Sequence, residues 1–335
     1  MVTYHGVLPG GYQSVDAAFD GNLVSGEALR RQLRLLKARY HVISPEEALA
    51  WSEGRRKLPP RAVLLTCDDG LLNCLTDMVP VLRDEQVSCL FFVTGYSAVE
   101  NRSVLWYEKL FLLFLKAKAG AFEISSGACS IAGELGSVEA RRRVWWDAVQ
   151  RLSQFSRDVR NAFLRAARAE LQGEQPLACD LKSDTSCRRF GLMTASELRD
   201  LGAAGMAVGA HTMSHPRLSC APVDLAREEI AGSKSALEEV LQRPVWAFAY
   251  PFGDPHSVTP EVLAMTKRAG FSAAFLNYGG GLGVALPMHS LPRVHVNAAM
   301  SLAEFEVQVS GIYSRLRRLA GRGSAGLVRQ ESPGA

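Results

Sequence analysis

Short apolar runs alternate with helical stretches along most of this chain, and that rhythm predicts its fold class. Apolar runs typical of buried strands occur at residues 2–4, 41–43, 61–66, 89–93, 207–210, 245–250 and 273–276. Between them, apolar residues recur at helical spacing, as at Leu29, Leu33 and Leu36. Ser44 followed by Pro45 is typical of a capped helix start. Strands that alternate with helices predict parallel βα units, and there are enough of them for a barrel.

The rhythm breaks between residues 99 and 190. No proline occurs between Pro80 and Pro176, and residues 139–171 are rich in Ala, Arg, Leu and Glu, so we expect a mostly helical insertion. Its Trp145 and Trp146 either line a substrate groove or pack between helices, and the second role is the more common one. We expect the first part of the barrel at residues 1–98 and its second part at residues 191–312. The insertion between them covers residues 99–190, and a basic, disordered tail follows at residues 313–335.

The composition indicates a globular protein with a substantial core. Of 335 residues, 47% are hydrophobic and 21% are charged, and the formal net charge of +4 is too small to indicate a nucleic-acid partner. Much of the excess of positive charge lies in the tail, which we interpret as a solvated helix end, with contact to a membrane surface as the alternative. The arginines concerned are Arg315, Arg317, Arg318, Arg322 and Arg329.

Several features bear on where the protein is located. The longest apolar run, Leu110 to Leu115, is far too short to span a bilayer. The opening residues, Met1 to His5, lack the basic and apolar regions of a signal peptide. The seven cysteines are irregularly spaced and include no Cys-x-x-Cys pair, which argues against a zinc ribbon or a thioredoxin-type motif and fits a reducing compartment. We therefore expect a cytoplasmic protein without a transmembrane segment.

Two adjacent carboxylates, Asp68 and Asp69, follow the predicted strand at residues 61–66. At the end of a buried strand such groups lose hydration and repel each other, and a bound cation relieves both penalties. Successive residues of a strand point to opposite sides, so we expect the two carboxylates to have different roles. Gly70 permits a turn that brings both near one site. The alternative explanation is a pair of residues that cap a helix.

Two histidines, His211 and His215, follow the predicted strand at residues 207–210. Their spacing predicts two imidazoles on one face of a helical turn, close enough to share a metal. Together with one carboxylate they would leave a coordination position open, as in catalytic zinc sites. Tyr250, Pro251 and Phe252 follow another strand and would shape the wall of a sugar-sized pocket, although a plain strand-to-turn transition explains them nearly as well.

Taken in order, these segments resemble the motifs of the polysaccharide deacetylase (NodB-homology) family, also called carbohydrate esterase family 4. The segments are Thr66-Cys67-Asp68-Asp69-Gly70, His211-Thr212-Met213-Ser214-His215 and Tyr250-Pro251-Phe252-Gly253, and Tyr4-His5-Gly6-Val7 and Leu291-Pro292-Arg293-Val294 are similar to that family too. The resemblance covers the chain except the insertion and the tail. It implies an α/β fold, a distorted (β/α)7-type barrel, and hydrolysis of N-acetyl or O-acetyl groups on sugars.

The resemblance also implies a metal site and a general base. Asp69, His211 and His215 would hold one divalent metal, most often Zn2+, with Co2+ or Mn2+ as alternatives. Asp68 would be the base that takes a proton from the attacking water.

A general acid and a charged partner for the base are implied as well. His5 fits a branch of the family whose acid lies on the first strand, and His295 is the second candidate. Many members carry an arginine that is oriented toward the base, at the position that is Ala249 here. Arg293 is the residue that would supply the missing charge beside Asp68.

The main functional hypothesis is a metal-dependent hydrolase that removes N-acetyl groups from amino sugars of a polysaccharide, an oligosaccharide or a lipid-linked precursor. One alternative is an amidase that acts on a small metabolite, with the insertion narrowing its site. The other alternative is a catalytically silent carbohydrate-binding protein, and the intact Asp68, Asp69, His211 and His215 count against it.

Overall fold

The computed structural model describes residues 1–171, 177–254, 256–279 and 287–311, and the expected basic tail at 313–335 lies outside these ranges. The described strands are β1 (Val2–Tyr4), β2 (His41–Ile43), β3 (Ala62–Cys67), β4 (Leu90–Val93), β5 (Ala121–Ser125), β6 (Ser130–Glu134), β7 (Ala207–Ala210), β8 (Ala247–Ala249), β9 (Ala273–Gly279) and β10 (Leu291–His295). The described helices are α1 (Gly26–Arg39), α2 (Pro45–Ser52), α3 (Val79–Asp84), α4 (Tyr96–Val99), α5 (Trp106–Lys116), α6 (Val138–Leu152), α7 (Arg157–Leu171), α8 (Asp184–Phe190), α9 (Ala195–Ala203), α10 (Val223–Leu241), α11 (Pro260–Arg268) and α12 (Leu302–Val309).

Among the described residues, seven parallel strands close into a barrel. The ring runs through β1, β10, β9, β8, β7, β4 and β3 and returns to β1. It closes at β1, where Val2 lies opposite Val294 of β10 on one side and opposite Leu65 of β3 on the other. Because all these strands are parallel, their carboxyl ends meet at one mouth of the barrel, which is where ligands bind in such folds. The expected (β/α)7-type barrel is confirmed.

The membership of the ring differs from the sequence prediction at two strands. In the described part of the chain β2 pairs with β3 and stands outside the closed ring. Its place is taken by β10, which the apolar pattern does not predict. Pro292 lacks the N–H group that an interior strand donates, and Arg293 and His295 interrupt the apolar run.

The helices around the barrel begin and pack as their sequences predict. The Ser44 side chain accepts a hydrogen bond from the Glu47 N–H in a capping box at the start of α2, with Pro45 in the first turn. On α1, Leu29 and Leu33 are completely buried in the core between the helices and the barrel. No helix in the described ranges has the length and apolar character needed to cross a bilayer. The seven cysteines all lie in described segments, and none forms a disulfide.

From α5 to α8 the chain leaves the barrel and builds a second hydrophobic core of its own. Leu112, Phe114 and Phe163 are among its buried members. Besides the helices, this region contains an antiparallel hairpin of β5 and β6 that the sequence does not predict. Phe122 and Ile124 of β5 face inward between exposed neighbours, but an alternation over only five residues is a weak signal. The helical region thus carries a small sheet.

Candidate metal centre

Asp69, His211 and His215 converge at the mouth of the barrel. The Asp69 Oδ1 atom lies 3.5 Å from His211 Nε2 and 3.3 Å from His215 Nε2. Ligand atoms about 2.1 Å from a tetrahedral zinc lie roughly 3.4 Å from each other, so this spacing fits a shared cation. All three side chains are less than a tenth exposed. One carboxylate and two imidazoles also match the donor types that zinc prefers.

Hydrogen bonds around His211 orient its ligand atom. Its Nδ1 lies 2.7 Å from the carbonyl oxygen of Ala249, at the end of β8. A carbonyl only accepts, so Nδ1 carries the proton and Nε2 presents its lone pair to the site. At His215, burial lowers the pKa of the imidazole, which favours the neutral form that binds a metal. His215 Nδ1 has no hydrogen-bond partner among the described residues.

The two histidines lie on a loop, so the prediction of a helical turn is wrong. Thr212 and His215 have φ angles of 61° and 57°, a left-handed backbone that interrupts a right-handed helix. The His215 N–H donates to the Thr212 hydroxyl at 3.0 Å, and Trp106 Nε1 donates to the His215 carbonyl at 3.1 Å. Asp69 also has a positive φ of 77°. Two of the three candidate ligands, Asp69 and His215, therefore lie on strained backbone, as is common at functional sites.

A buried ion pair between Arg160 and Glu229, with 3.7 Å between nitrogen and oxygen, holds the same loop from the side of the insertion. Arg160 of α7 is 1% exposed, and it donates to the carbonyl of Ser214 at 3.3 Å and to its hydroxyl. Glu229 of α10 accepts from the Ser214 N–H at 2.8 Å. Burial lowers the pKa of Arg160 to about 10, which leaves the guanidinium charged at neutral pH. Neither charged residue is predicted from the sequence as part of the site, because nothing in their spacing links α7 to α10.

Asp68 is paired with Arg293 in the wall of the barrel. Arg293 Nη1 and Nη2 donate to the two carboxylate oxygens of Asp68 at 2.7 and 2.5 Å, and Nη1 also donates to the Thr66 hydroxyl at 3.0 Å. Asp68 is 1% exposed and Arg293 is completely buried. Burial alone would raise the pKa of Asp68, but the guanidinium outweighs it and lowers that pKa. Asp68 is therefore ionised at neutral pH.

His5 and His295 face each other at the same mouth, with ring centroids 4.9 Å apart. His5 follows β1 and is less exposed than His295. Burial and the nearby His5 lower the pKa of His295 to about 3, so its imidazole is neutral at neutral pH. Its Nδ1 lies 3.3 Å from Asn277 Oδ1. The amide oxygen of Asn277 only accepts, so the single N–H of the neutral imidazole lies on Nδ1 and donates to it.

The three residues that follow β8 occupy different environments. Tyr250 is completely buried, and its hydroxyl donates to the carbonyl of His289 at 2.9 Å. Pro251 is buried too, whereas Phe252 is partly exposed. The Phe252 ring lies 5.0 Å from the ring of His215. Phe252 therefore borders the metal site directly, and Tyr250 anchors the strand end behind it.

A cavity of about 610 Å³ opens beside the metal site. His5 and Asp69 line one end of it, and Tyr107 and Trp145 from the insertion line its wall. The Tyr107 hydroxyl donates to Asp69 Oδ2 at 3.5 Å. Tyr107 is not among the site residues predicted from the sequence. The neighbouring Glu108, a single acid within an apolar helix, is the signal that could have drawn attention to this segment.

A buried charge cluster forms another part of the cavity wall. Arg189 donates to Asp20 Oδ1 at 2.6 Å and to Glu108 Oε1 at 2.9 Å, and each of the three is at most 5% exposed. Burial raises the pKa of Glu108 to about 7, although Arg189 opposes that shift. The cluster joins the loop that follows β1 to α5 and α8.

We expect Arg189→Met to destabilise the protein strongly. Two buried carboxylates would lose their counter-charge, which typically costs about 3–5 kcal/mol of the free energy of unfolding. In a protein of this size the thermal midpoint would fall by roughly 4–7 °C. The matched control is Arg31→Met, because Arg31 pairs with Glu27 while the two side chains are 59% and 78% exposed. Equal losses in thermal unfolding of the two variants would contradict the expectation.

The barrel is shared with several solved structures, two of which are described as deacetylases. The deacetylase PplD of Streptococcus pyogenes, solved in complex with acetate, is 16% identical, with a TM-score of 0.56 over 92% of this chain and 96% of that one. IcaB from Ammonifex degensii is 20% identical, with a TM-score of 0.53 over 92% of this chain and 95% of that one. A de-N-acetylase from Aggregatibacter actinomycetemcomitans is 13% identical, with a TM-score of 0.52 over 91% and 97%. At these identities the likeness concerns the fold.

The sequence itself gives a more direct comparison. No curated protein sequence matches the chain. Residues 178–274 match the family model of polysaccharide deacetylases, and that match includes both His211 and His215. The matched segment runs through β7, β8 and the start of β9, which form one side of the mouth. The family match over residues 178–274 confirms the resemblance to the polysaccharide deacetylase family that the sequence motifs indicate, and the common barrel agrees with it.

Proposed function

We propose that this protein is a metal-dependent hydrolase that removes N-acetyl groups from amino sugars. The observation that carries the proposal is the cluster of Asp69, His211 and His215, with Asp68 as a second, separately paired carboxylate beside it. Two adjacent carboxylates with different partners suit two different roles, one as a ligand and one as a base. The family match supports the reaction class.

Asp69, His211 and His215 would hold the cation, and Zn2+ is the metal we propose. Their atoms that could serve as ligands all lie within 4.8 Å of one another. Such a cation supplies Lewis acidity, which activates water and polarises an acyl carbonyl. The fit rests on the donor set and on the orientation of His211, whose Nδ1 is occupied by the Ala249 carbonyl.

The protein's own side chains would move the protons of amide hydrolysis. Asp68 takes a proton from water while the water oxygen bonds to the acyl carbon. His5 gives a proton to the amide nitrogen as the C–N bond breaks, which releases acetate and a free amine. Arg293 keeps the carboxylate of Asp68 ionised and fixed in orientation through two hydrogen bonds. In this scheme Arg293 is a positioning residue.

The test is acetate release from N-acetylglucosamine oligomers, with small N-acetylated amines as the comparison substrates. We expect release to fall at least about 100-fold after chelation and to return when zinc, cobalt or manganese is added. Asp69→Ala is the matched control, because added metal should not restore acetate release in a variant that lacks one ligand. Faster turnover of the small amines would favour an amidase. Sugar binding without acetate release in the presence of each metal would mean a silent binding protein.

A further inference from the structure

Four aromatic side chains of the insertion form a continuous layer, which we call the roof, and its Tyr107 ring lies 4.9 Å from the ring of His215 at the metal site. The roof consists of Tyr107 and Phe111 on α5 and of Trp145 and Trp146 on α6. The Trp145 ring centroid lies 6.5 Å from that of Tyr107, 5.3 Å from that of Phe111 and 5.8 Å from that of Trp146. Trp145 Nε1 also donates to the carbonyl of Tyr107 at 2.8 Å. The roof is therefore a packed unit.

On one side the roof is fastened to the loop that follows β1. Phe19 stacks on Phe111 with ring centroids 4.2 Å apart and an interplanar angle of 11°. Arg142 of α6 donates to both carboxylate oxygens of Asp16, at 3.1 and 3.0 Å. Those two side chains are only 12% and 11% exposed, so water screens the ion pair weakly.

On the other side the roof is fastened to the loop that follows β8. The Phe252 ring lies 5.5 Å from Trp146 and 6.0 Å from Tyr107. The Arg217 guanidinium lies 5.8 Å from the Trp146 ring centroid and pairs with Asp254 at 2.9 Å. Between β1 and β8 the ring contains β3, β4 and β7 on one side. Because Tyr107 also contacts Asp69 after β3 and His215 after β7, the roof lies on this side of the mouth.

Beside the roof and the metal site lies the cavity of about 610 Å³, which residues 297–299 after β10 also line. That volume is typical of a pocket for a small ligand. A long glycan that bound through an internal sugar would need to leave the site in two directions. One of those directions is occupied by the roof and its two fastenings.

We propose that the protein removes the acyl group from a terminal amino sugar or a single glycoside, and that the roof excludes internal units of a long glycan. This inference rests on the proposed function and adds the position of the substrate unit to it. Trp145 and Phe111 line the cavity and offer flat apolar surfaces, which suit the apolar faces of one sugar ring. The roof is therefore the specificity-determining element.

The first test is the position of deacetylation by the metal-loaded wild-type protein. N-acetylglucosamine oligomers of two to six units are incubated to completion, and tandem mass spectrometry locates each free amine. We expect one free amine per oligomer, at one end, for every length. Free amines at internal units would overturn the terminal-unit inference and leave the proposed function standing. No acetate from any oligomer or from methyl N-acetylglucosaminide, with zinc, cobalt or manganese present, would overturn the proposed function and this inference with it.

The second test opens the roof with Trp145→Ala. We expect the hexamer to lose two or more acetyl groups in this variant, against one in the wild type. Trp246→Ala is the matched control, because Trp246 packs beside the barrel strands, away from the roof. This variant should still release one acetyl group per hexamer. Thermal midpoints establish that both variants fold. A folded Trp145→Ala protein that still releases a single terminal acetyl group would overturn the role of the roof.

Discussion

Asp68→Asn is expected to lower kcat/KM for acetate release by roughly 10²–10⁴-fold while the metal content stays unchanged. An amide cannot take the proton that the proposed base accepts, whereas Asp69, His211 and His215 keep their donor atoms. The measurements are steady-state kinetics of acetate release and elemental analysis of the purified, metal-loaded protein. A large loss of activity at full metal content is the result that separates a base from a ligand.

Two controls accompany the Asp68 variant. Asn in place of Asp68 leaves the buried Arg293 without its counter-charge, so the thermal midpoint of unfolding will fall. The assays are therefore run at a temperature well below that midpoint. Asp69→Asn is the matched variant, and it is expected to lose metal as well as activity because it removes a ligand charge. If Asp68→Asn lost the metal and Asp69→Asn kept it, the roles of the two aspartates would be the reverse of those proposed.

His5→Ala is expected to slow amide hydrolysis by roughly 10²–10⁴-fold, whereas His295→Ala should change it by less than about 10-fold. His5 lines the cavity beside Asp69, where a leaving nitrogen would lie. His295 has a pKa of about 3 and is therefore neutral, so it is a poor source of a proton at neutral pH. Both rates are measured with the same N-acetylglucosamine oligomer.

An ester substrate makes the test of His5 specific to proton donation. An aryl acetate releases a phenolate that needs no proton, so His5→Ala should keep most of its activity on that ester. A variant that merely disturbed the site would lose amide and ester hydrolysis together. Equal losses on the amide for His5→Ala and His295→Ala would instead point to His295, or to the pair, as the acid.

Residues far apart in the sequence could be assigned to one site because each of them directly follows a predicted strand. Asp69, His211 and His215 each follow a predicted buried strand, and they lie close together in the structure. In a parallel barrel all carboxyl strand ends share one mouth, whatever the length of chain between them. The insertion of α5 to α8 between β4 and β7 therefore does not disturb this inference.

The exact strands of the ring could not be predicted in the same way. The apolar patterns of β2 and β3 look alike in the sequence, yet in the described structure β2 stands outside the ring. Closure depends on pairing between β1 and β10, almost three hundred residues apart, where Val2 meets Val294. Local patterns carry no information about such a partner, and Pro292 made β10 look unlike a strand.

The sequence by itself determined the barrel class and the residue types at its mouth, because hydrophobic periodicity and strand-end polar residues are local properties. Only the tertiary structure decided what surrounds those residues. Arg189 meets Asp20 across 169 positions, and Trp106 donates to the carbonyl of His215 across 109. Periodicity tells which face of a helix is buried but not against which partner it packs. The roof, and the narrow access it leaves, therefore became visible only once the chain was folded.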